Sequence, residues 1–190
     1  MNGRGTSSLI FILSGPGGVG KGTVVARLLG LLPGLTLSRS WTTRQRRPGE
    51  AEDAYVFVDR ETFLARVDRS GFLEWTEFAG NGHLYGTPVP ELDAPGDLLL
   101  EIELDGAQQV KKLAREAVLV FVVPPSRKDW EARLRGRGDD EDSIRRRLEV
   151  GEREVELGTR LADHVVVNDD VDRAAAEVAD IITSRRERRL

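Results

Sequence analysis

The chain has 190 residues, 39% hydrophobic and 32% charged, with a formal net charge of −4. That is enough for one domain with a substantial core, and the near-balanced charge argues against a general nucleic-acid surface. Zero cysteines exclude a disulfide framework and a thiolate metal site, and His83 and His164 stand too far apart for a zinc motif.

No apolar run approaches the ~20 residues that span a bilayer, so no membrane partner is expected. Residues 1–8 lack the basic-then-apolar layout of a signal peptide and read as a disordered leader, with cytoplasmic residence as the expectation. Leu9–Leu13 reads as a buried strand, and a turn holding Gly15, Gly17, Gly18 and Gly20 leads to Lys21 and a helix from Thr23 to about Leu31, stopped by Pro33-Gly34. A second strand follows from Leu35. The polar, basic run from Trp41 to Glu50, with a turn at Pro48-Gly49, reads as cleft or surface rather than core. Tyr55–Val58 is a short strand, 59–69 a helix opening at Asp59, and 71–78 another strand, together an inserted lobe.

Thr87–Gly96 carries three prolines and is a poor helix candidate. Leu98–Leu104 resumes a buried strand, followed by a helix at 106–116, a strand at 117–123, a helix from Ser126 to Arg135 and a long polar helix from about Asp140 to Leu161. Val165–Asn168 closes the sheet, its Val165–Val167 run apolar like Leu9–Leu13 and Val118–Val123 as a strand buried on both faces should be, and 170–187 is a final amphipathic helix, whose basic tail RRERRL reads as a solvated, fraying end. Alternating strands and helices imply a parallel α/β sheet with helices on both faces. In such sheets ligands lie beyond the carboxyl ends of the strands, which gathers the glycine loop, Ser38–Ser40, Glu101–Asp105 and Asn168–Asp169 around one site.

The spacing Gly15–x4–Gly20–Lys21 fits the Walker A pattern except at its last position, where Gly22 stands for the usual Ser or Thr and Thr23 follows. Glycines let backbone N–H groups converge on an anion, the helix N-terminus adds partial positive charge and Lys21 a full one, so the expected ligand is a nucleotide phosphate. The missing hydroxyl is the one that normally ligates Mg2+. The metal would be held by carboxylates and water, or by the triphosphate itself. The Gly-Lys-Gly-Thr variant resembles the loop of adenylate kinases and points to small phosphoryl transfer.

Beyond the loop, SRSWTTRQRRPGE, YVFV and GFLEWTEFAGNGHLYGT closely resemble the guanylate kinase family, over roughly residues 9–170. The resemblance implies transfer from ATP to GMP, and dGMP as well, with Mg2+, in purine nucleotide metabolism. It also implies a P-loop NTPase-type core (9–37, 97–134, 162–190), an inserted GMP-binding lobe (38–96) and a helical lid (135–161) within one domain. It places the donor site on Gly15, Pro16, Gly17, Gly18, Val19, Gly20, Lys21, Gly22 and Thr23, with Arg133, Arg137 and Asn168. The GMP phosphate falls to Arg44, Arg47, Tyr55 and Tyr85, and guanine to Ser40, Glu74, Thr87 and Glu103. Forked guanidinium and phenolic donors suit a monophosphate dianion, and a buried Glu74 suits the paired N1–H and N2–H2 donors of guanine. Lys21, Arg44, Arg137 and Arg147 are the expected catalytic cations, with Arg133 as a third lid arginine. Arg145 and Arg146 read as surface pairs. Trp41 and Trp75 read as packing residues of the lobe. Glu101 and Glu103 stand where the family usually has at least one Asp, and either could bind Mg2+ through water in compensation for Gly22. Two other readings stay open: a kinase of this fold for another phosphate acceptor, and a non-catalytic interaction module.

Overall fold

The computed structural model describes residues 8–47, 49–52, 54–77, 82–89, 96–136, 138 and 140–189. The expected leader apart from Ser8, Pro48 of the basic run, Phe78–Asn81, much of the Pro-rich stretch before Gly96, and the lid candidate Arg137 lie outside these residues.

Five strands, β1 (Ile10–Ser14), β2 (Leu35–Leu37), β7 (Asp97–Glu101), β8 (Val118–Val123) and β9 (His164–Val167), form a parallel sheet in the order β2-β7-β1-β8-β9. Alternate side chains divide its core. Phe11, Leu13, Val120 and Val122 pack with helices α1 (Lys21–Leu31) and α6 (Val171–Glu187), whereas Ile12, Leu100, Leu119 and Phe121 pack with α3 (Leu104–Leu113) and α5 (Glu141–Leu161). Helices therefore cover both faces, as a sheet buried on two sides requires. All five carboxyl ends lie along one edge, which carries the glycine loop after β1, Glu101 at the end of β7 and Asn168 just past β9.

A second sheet, order β4-β3-β6-β5, comprises β3 (Trp41–Thr42), β4 (Val56–Phe57), β5 (Phe72–Glu77) and β6 (Leu84–Pro88), backed by α2 (Arg60–Asp68). Phe63 and Phe72 stack at 4.5 Å and Trp41 meets Phe72 edge-on at 5.8 Å, so Trp41 packs in the lobe as expected, whereas Trp75 meets Phe63 at 6.5 Å from an exposed position. The remaining helix, α4 (Arg127–Gly136), buries Trp130 and Leu134 against Ile144 and Leu148 of α5. Aspartates cap where the sequence suggests a helix start: Asp59 accepts from Thr62 N, Asp140 from Ser143 N and Asp170 from Arg173 N.

Four readings need correction. The run from Trp41 is not all cleft or surface: Trp41–Thr42 is a strand, and Thr42 and Arg44 are buried, because their polar groups bond inside the small lobe. The strand expected to run to Leu104 ends at Glu101, and Leu104 already opens α3, starting it two residues earlier than the pattern suggests. Val165 and Val167 are exposed rather than buried, since β9 is an edge strand. The tail is tied back, with Arg186 Nε 2.7 Å from Asp97 Oδ2 and Arg185 paired to Glu116.

Candidate active site

The phosphate loop has a shape that only glycine allows at its ends. Gly15 has φ +150°, and a Cβ there would lie 2.3 Å from the Val122 carbonyl oxygen; Gly20 has φ +96°, and its Cβ would meet Asn168 Nδ2 at 2.7 Å. Three side chains strap the loop from behind. Arg133 donates to the carbonyls of Val19 (2.9 Å) and Asn168 (2.8 Å), Asn168 Nδ2 donates to Val19 O (2.8 Å), and the buried Trp130 Nε1 donates to Gly17 O (2.8 Å). Arg133 and Asn168, expected as nucleotide contacts, thus spend hydrogen bonds on the Val19 carbonyl of the loop itself. Ser14 Oγ and Asn168 Oδ1 are buried here without a hydrogen-bond partner among the described residues.

Lys21 opens α1, donates from Nζ to the Gly15 carbonyl and lies 3.7 Å from Glu103 Oε1. Pro16 and Gly18 are buried in the loop between β1 and α1, and Gly22 and Thr23 lie in the first turn of α1. Gly22 faces Glu101: a Cβ at Gly22 would sit 3.6 Å from Oε1 and 3.9 Å from Oε2. The space left by the missing hydroxyl side chain is therefore bordered by a carboxylate. Hard oxygen donors of this kind suit Mg2+. Among the described residues no group of three or more His, Cys, Asp or Glu is arranged to hold a metal.

A further acid, Glu154 of α5, was not foreseen. Burial pushes its carboxyl up to about 7, reinforced by the charge of Glu103 and opposed by that of Lys21, and its Oε1 has no hydrogen-bond partner among the described residues. It sits on the seam that docks α5, where a Cβ on Gly151 would come within 2.2 Å of the Trp130 ring and one on Gly158 within 2.2 Å of Phe121.

The second sheet presents the other half. Arg44, 7% exposed, donates from Nη1 to Glu50 Oε2 (2.7 Å) and to Gln45 O (2.9 Å), and from Nη2 to Glu50 Oε1. Its guanidinium carbon stands 4.9 Å from the Tyr55 ring centroid, and Tyr55 meets Tyr85 edge-on at 6.2 Å. Burial raises the Tyr55 hydroxyl, and the charges of Glu101 and Glu103 raise it further while Arg44 opposes them. Tyr55 therefore lies within electrostatic reach of Glu101 at the end of β7 and of Glu103 at the start of α3. Arg47 lies exposed on the same loop. Deeper in, Glu74 (5% exposed) accepts from Thr87 Oγ1 at 2.5 Å, and burial raises its carboxyl above the ordinary range, with the Thr87 bonds opposing. Its Oε2 is 2.6 Å from where a Cβ on Gly106 of α3 would be, so the carboxylate lies against the main body. Ser40 lies half-buried just before β3.

Arg44, Tyr55 and Tyr85 are thus together, Glu74 is paired with Thr87, and Lys21 with Glu103. Arg147 is exposed on α5, while Arg145 pairs with Asp142 and Arg146 with Ser143, the surface pairing expected of them. Glu50, Trp130 and Glu154 were missed. An indole whose N–H must find an acceptor when buried was the one signal for Trp130; Glu50 lies inside a quoted motif but looks like one more loop charge.

A family model described as guanylate kinase matches residues 7–185. A guanylate kinase of Synechococcus sp. (strain CC9311) is 49% identical over 173 residues, 88% of this chain and 90% of the relative. A guanylate kinase of Thermus thermophilus is 45% identical over 97% of this chain and 84% of its own. The crystal structure of guanylate kinase from Anaplasma phagocytophilum superposes with a TM-score of 0.76 at 30% identity, covering 94% of this chain and 86% of that one. With a family model over nearly the whole chain and relatives 45% and 49% identical along most of its length, the chain belongs to the guanylate kinase family.

Proposed function

We propose that this chain transfers the γ-phosphoryl group of ATP to GMP, giving ADP and GDP. The observation that carries the reading is the meeting of two unlike anion sites: a backbone cradle with Lys21, and a buried Arg44 flanked by Tyr55 and Tyr85 beside a sequestered Glu74. The lobe at 38–96 takes GMP, and the segment 135–161 serves as the lid.

In the reaction an oxygen of the GMP phosphate forms a bond to the γ-phosphorus while the bond from that phosphorus to the β–γ bridging oxygen breaks, and its electron pair leaves with ADP. No protein nucleophile is needed, so the residues position and neutralise. Arg44, Arg47, Tyr55 and Tyr85 hold the acceptor phosphate, their charge countering the repulsion between two anions. Glu74 accepts from guanine N1–H and N2–H2, with Thr87 steadying the carboxylate and Ser40 and Glu103 at the rim. Lys21 and the loop amides from Gly15 to Thr23 hold the donor phosphates, and Arg137 and Arg147 from the lid meet the charge that spreads over the transferring group. Glu101 and Glu103 would hold Mg2+, which would supply further neutralisation of phosphate charge.

A coupled assay with ATP and each of GMP, dGMP, AMP, CMP and UMP tests this. Turnover is expected with GMP and dGMP. Turnover with AMP or UMP alone would end the guanine assignment, and turnover with none would point to a binding module.

A further inference from the structure

The backbone between Arg44 and Glu50 folds back on itself. Glu50 N donates to the Arg47 carbonyl at 3.1 Å, Gly49 takes φ +78° in the turn, and the Glu50 carboxylate reaches back across it. Glu50 Oε2 accepts from Arg44 Nη1 at 2.7 Å and from the Arg47 backbone N–H at 3.0 Å, while Oε1 accepts from Arg44 Nη2. One carboxylate, 18% exposed, therefore fixes the guanidinium of the first phosphate arginine and the main chain of the second.

A guanidinium has two edges that can take an anion in a fork: Nη1 with Nη2, and Nε with Nη2. Glu50 occupies the first. The Nε edge is then the one Arg44 can present to a second anion, with the ring of Tyr55 close by. A buried guanidinium with no counter-charge would be costly before substrate arrives, and Glu50 supplies that charge without covering the Nε edge. The hydrogen bond from Arg44 holds the Glu50 carboxyl down at about 2, so it stays ionised throughout the range where the enzyme works.

We propose that Glu50 is a positioning residue for the acceptor phosphate: it clamps Arg44 and the Arg47 backbone so that the Nε edge of Arg44 is aimed at the dianion before GMP binds. This rests on the reading of Arg44 as a GMP-phosphate ligand. Glu50 itself touches no substrate. Its loss frees Arg44 to rotate, and the ordering that Glu50 supplies in advance must then come out of the binding energy of GMP.

The test compares GMP with guanosine, which carries the same base and no phosphate. Calorimetric binding of both, and steady-state kinetics, are measured for Glu50→Gln and Glu50→Ala, each checked for a native circular dichroism spectrum and melt. Gln keeps the size but turns an amide toward Arg44, so the conservative variant reports even where the Ala variant is too unstable to use. GMP affinity is expected to fall about tenfold to a hundredfold, the range for losing bonds to a charged group. Guanosine affinity stays the same, KM for GMP rises more than kcat falls, and KM for ATP moves less than twofold. Unchanged or tighter GMP binding would overturn the proposal, since the carboxylate would then be inert or a mere competitor. Parallel loss of GMP and guanosine in a folded variant would overturn it too, as scaffolding of the whole lobe. Arg44→Ala is measured alongside: if it leaves the GMP-to-guanosine ratio unchanged, the phosphate-ligand reading itself fails and the proposal falls with it; if it collapses the ratio while the Glu50 variants do not, only the proposal fails.

Discussion

At the scale of single residues, two glutamates whose carboxyls are raised by desolvation play opposite parts. Glu74 is held by Thr87 and lies against α3, with burial raising its carboxyl. It is expected to be most useful ionised, because only a carboxylate accepts two parallel donors from one base edge. Glu74→Gln turns one acceptor into a donor that opposes guanine, and kcat/KM for GMP is expected to fall about a hundredfold or more, with AMP gaining relative to GMP. An unchanged GMP-to-AMP ratio would remove Glu74 from base recognition. Glu154 is the contrary case. Its carboxyl is pushed up to about 7 from an ordinary value of 4.5, so folding favours the protonated form. The stability it contributes is full below its unfolded value near pH 4.5 and is lost as pH rises through 7. Glu154→Gln keeps the neutral form at every pH, so in denaturant titrations it is expected to be more stable than the parent at pH 8, by up to about 3 kcal/mol, and nearly equal to it at pH 5. A difference that does not change with pH would refute the argument. Neither Glu154 nor Glu50 was legible in the sequence, because what marks them is burial and a partner brought close by folding. Glu74 and Arg44 are picked out in the sequence by the ordered set of motifs around them, whereas the burial of Arg44 depends on bonds and partners that only the folded lobe supplies.

At the scale of elements, the strand–loop–helix unit from Ile10 to Leu31 was readable because apolar run, glycines, lysine and helical period occur in order. The strand Trp41–Thr42 was not, because its buried positions are polar and are satisfied only by bonds within the folded lobe. The exposure of Val165 and Val167 was equally invisible, since an edge strand and a central one share the same apolar pattern. Helix packing shows the same contrast in two glycines. Gly30 in α1 has nothing within 4 Å of its would-be Cβ, whereas that of Gly151 in α5 would come within 2.2 Å of the Trp130 ring and 3.3 Å of Pro16 Cβ. The same substitution therefore carries opposite signs. Gly30→Ala is expected to stabilise by about 0.5–1 kcal/mol through helix propensity alone. Gly151→Ala has that gain overridden by a clash of about 1–3 kcal/mol. Because Trp130 also holds the Gly17 carbonyl, KM for ATP rises in the second variant and stays put in the first. Chemical denaturation and kinetics on the two variants check both halves, and equal effects would mean that α5 is not docked as closely as the glycine requires.

At the scale of the whole molecule, the donor cradle hangs on the five-stranded sheet and the acceptor cluster on the four-stranded one. The two are joined where α3 meets β5, with Gln109 Nε2 3.4 Å from the Trp75 carbonyl and Glu74 against Gly106. On the proposed assignment each nucleotide has its own anchoring charge on its own sheet, and ligand-induced stabilisation separates them. A ligand at a hundred times its Kd stabilises the native state by about 2.7 kcal/mol, which moves Tm by ~5–10 °C in a chain of this length. ATP and GMP are each expected to raise Tm by about that amount. In Arg44→Ala the GMP shift collapses and the ATP shift remains; in Lys21→Ala the reverse holds. Each shift is read against the variant's own unliganded melt, because Lys21 also faces Glu103 and opposes the charge on Glu154, so its removal lowers the baseline before any nucleotide is added. If Lys21→Ala abolished the shifts from both nucleotides, the phosphate loop would be required to form the acceptor site as well, and the division of labour between the two sheets would be wrong.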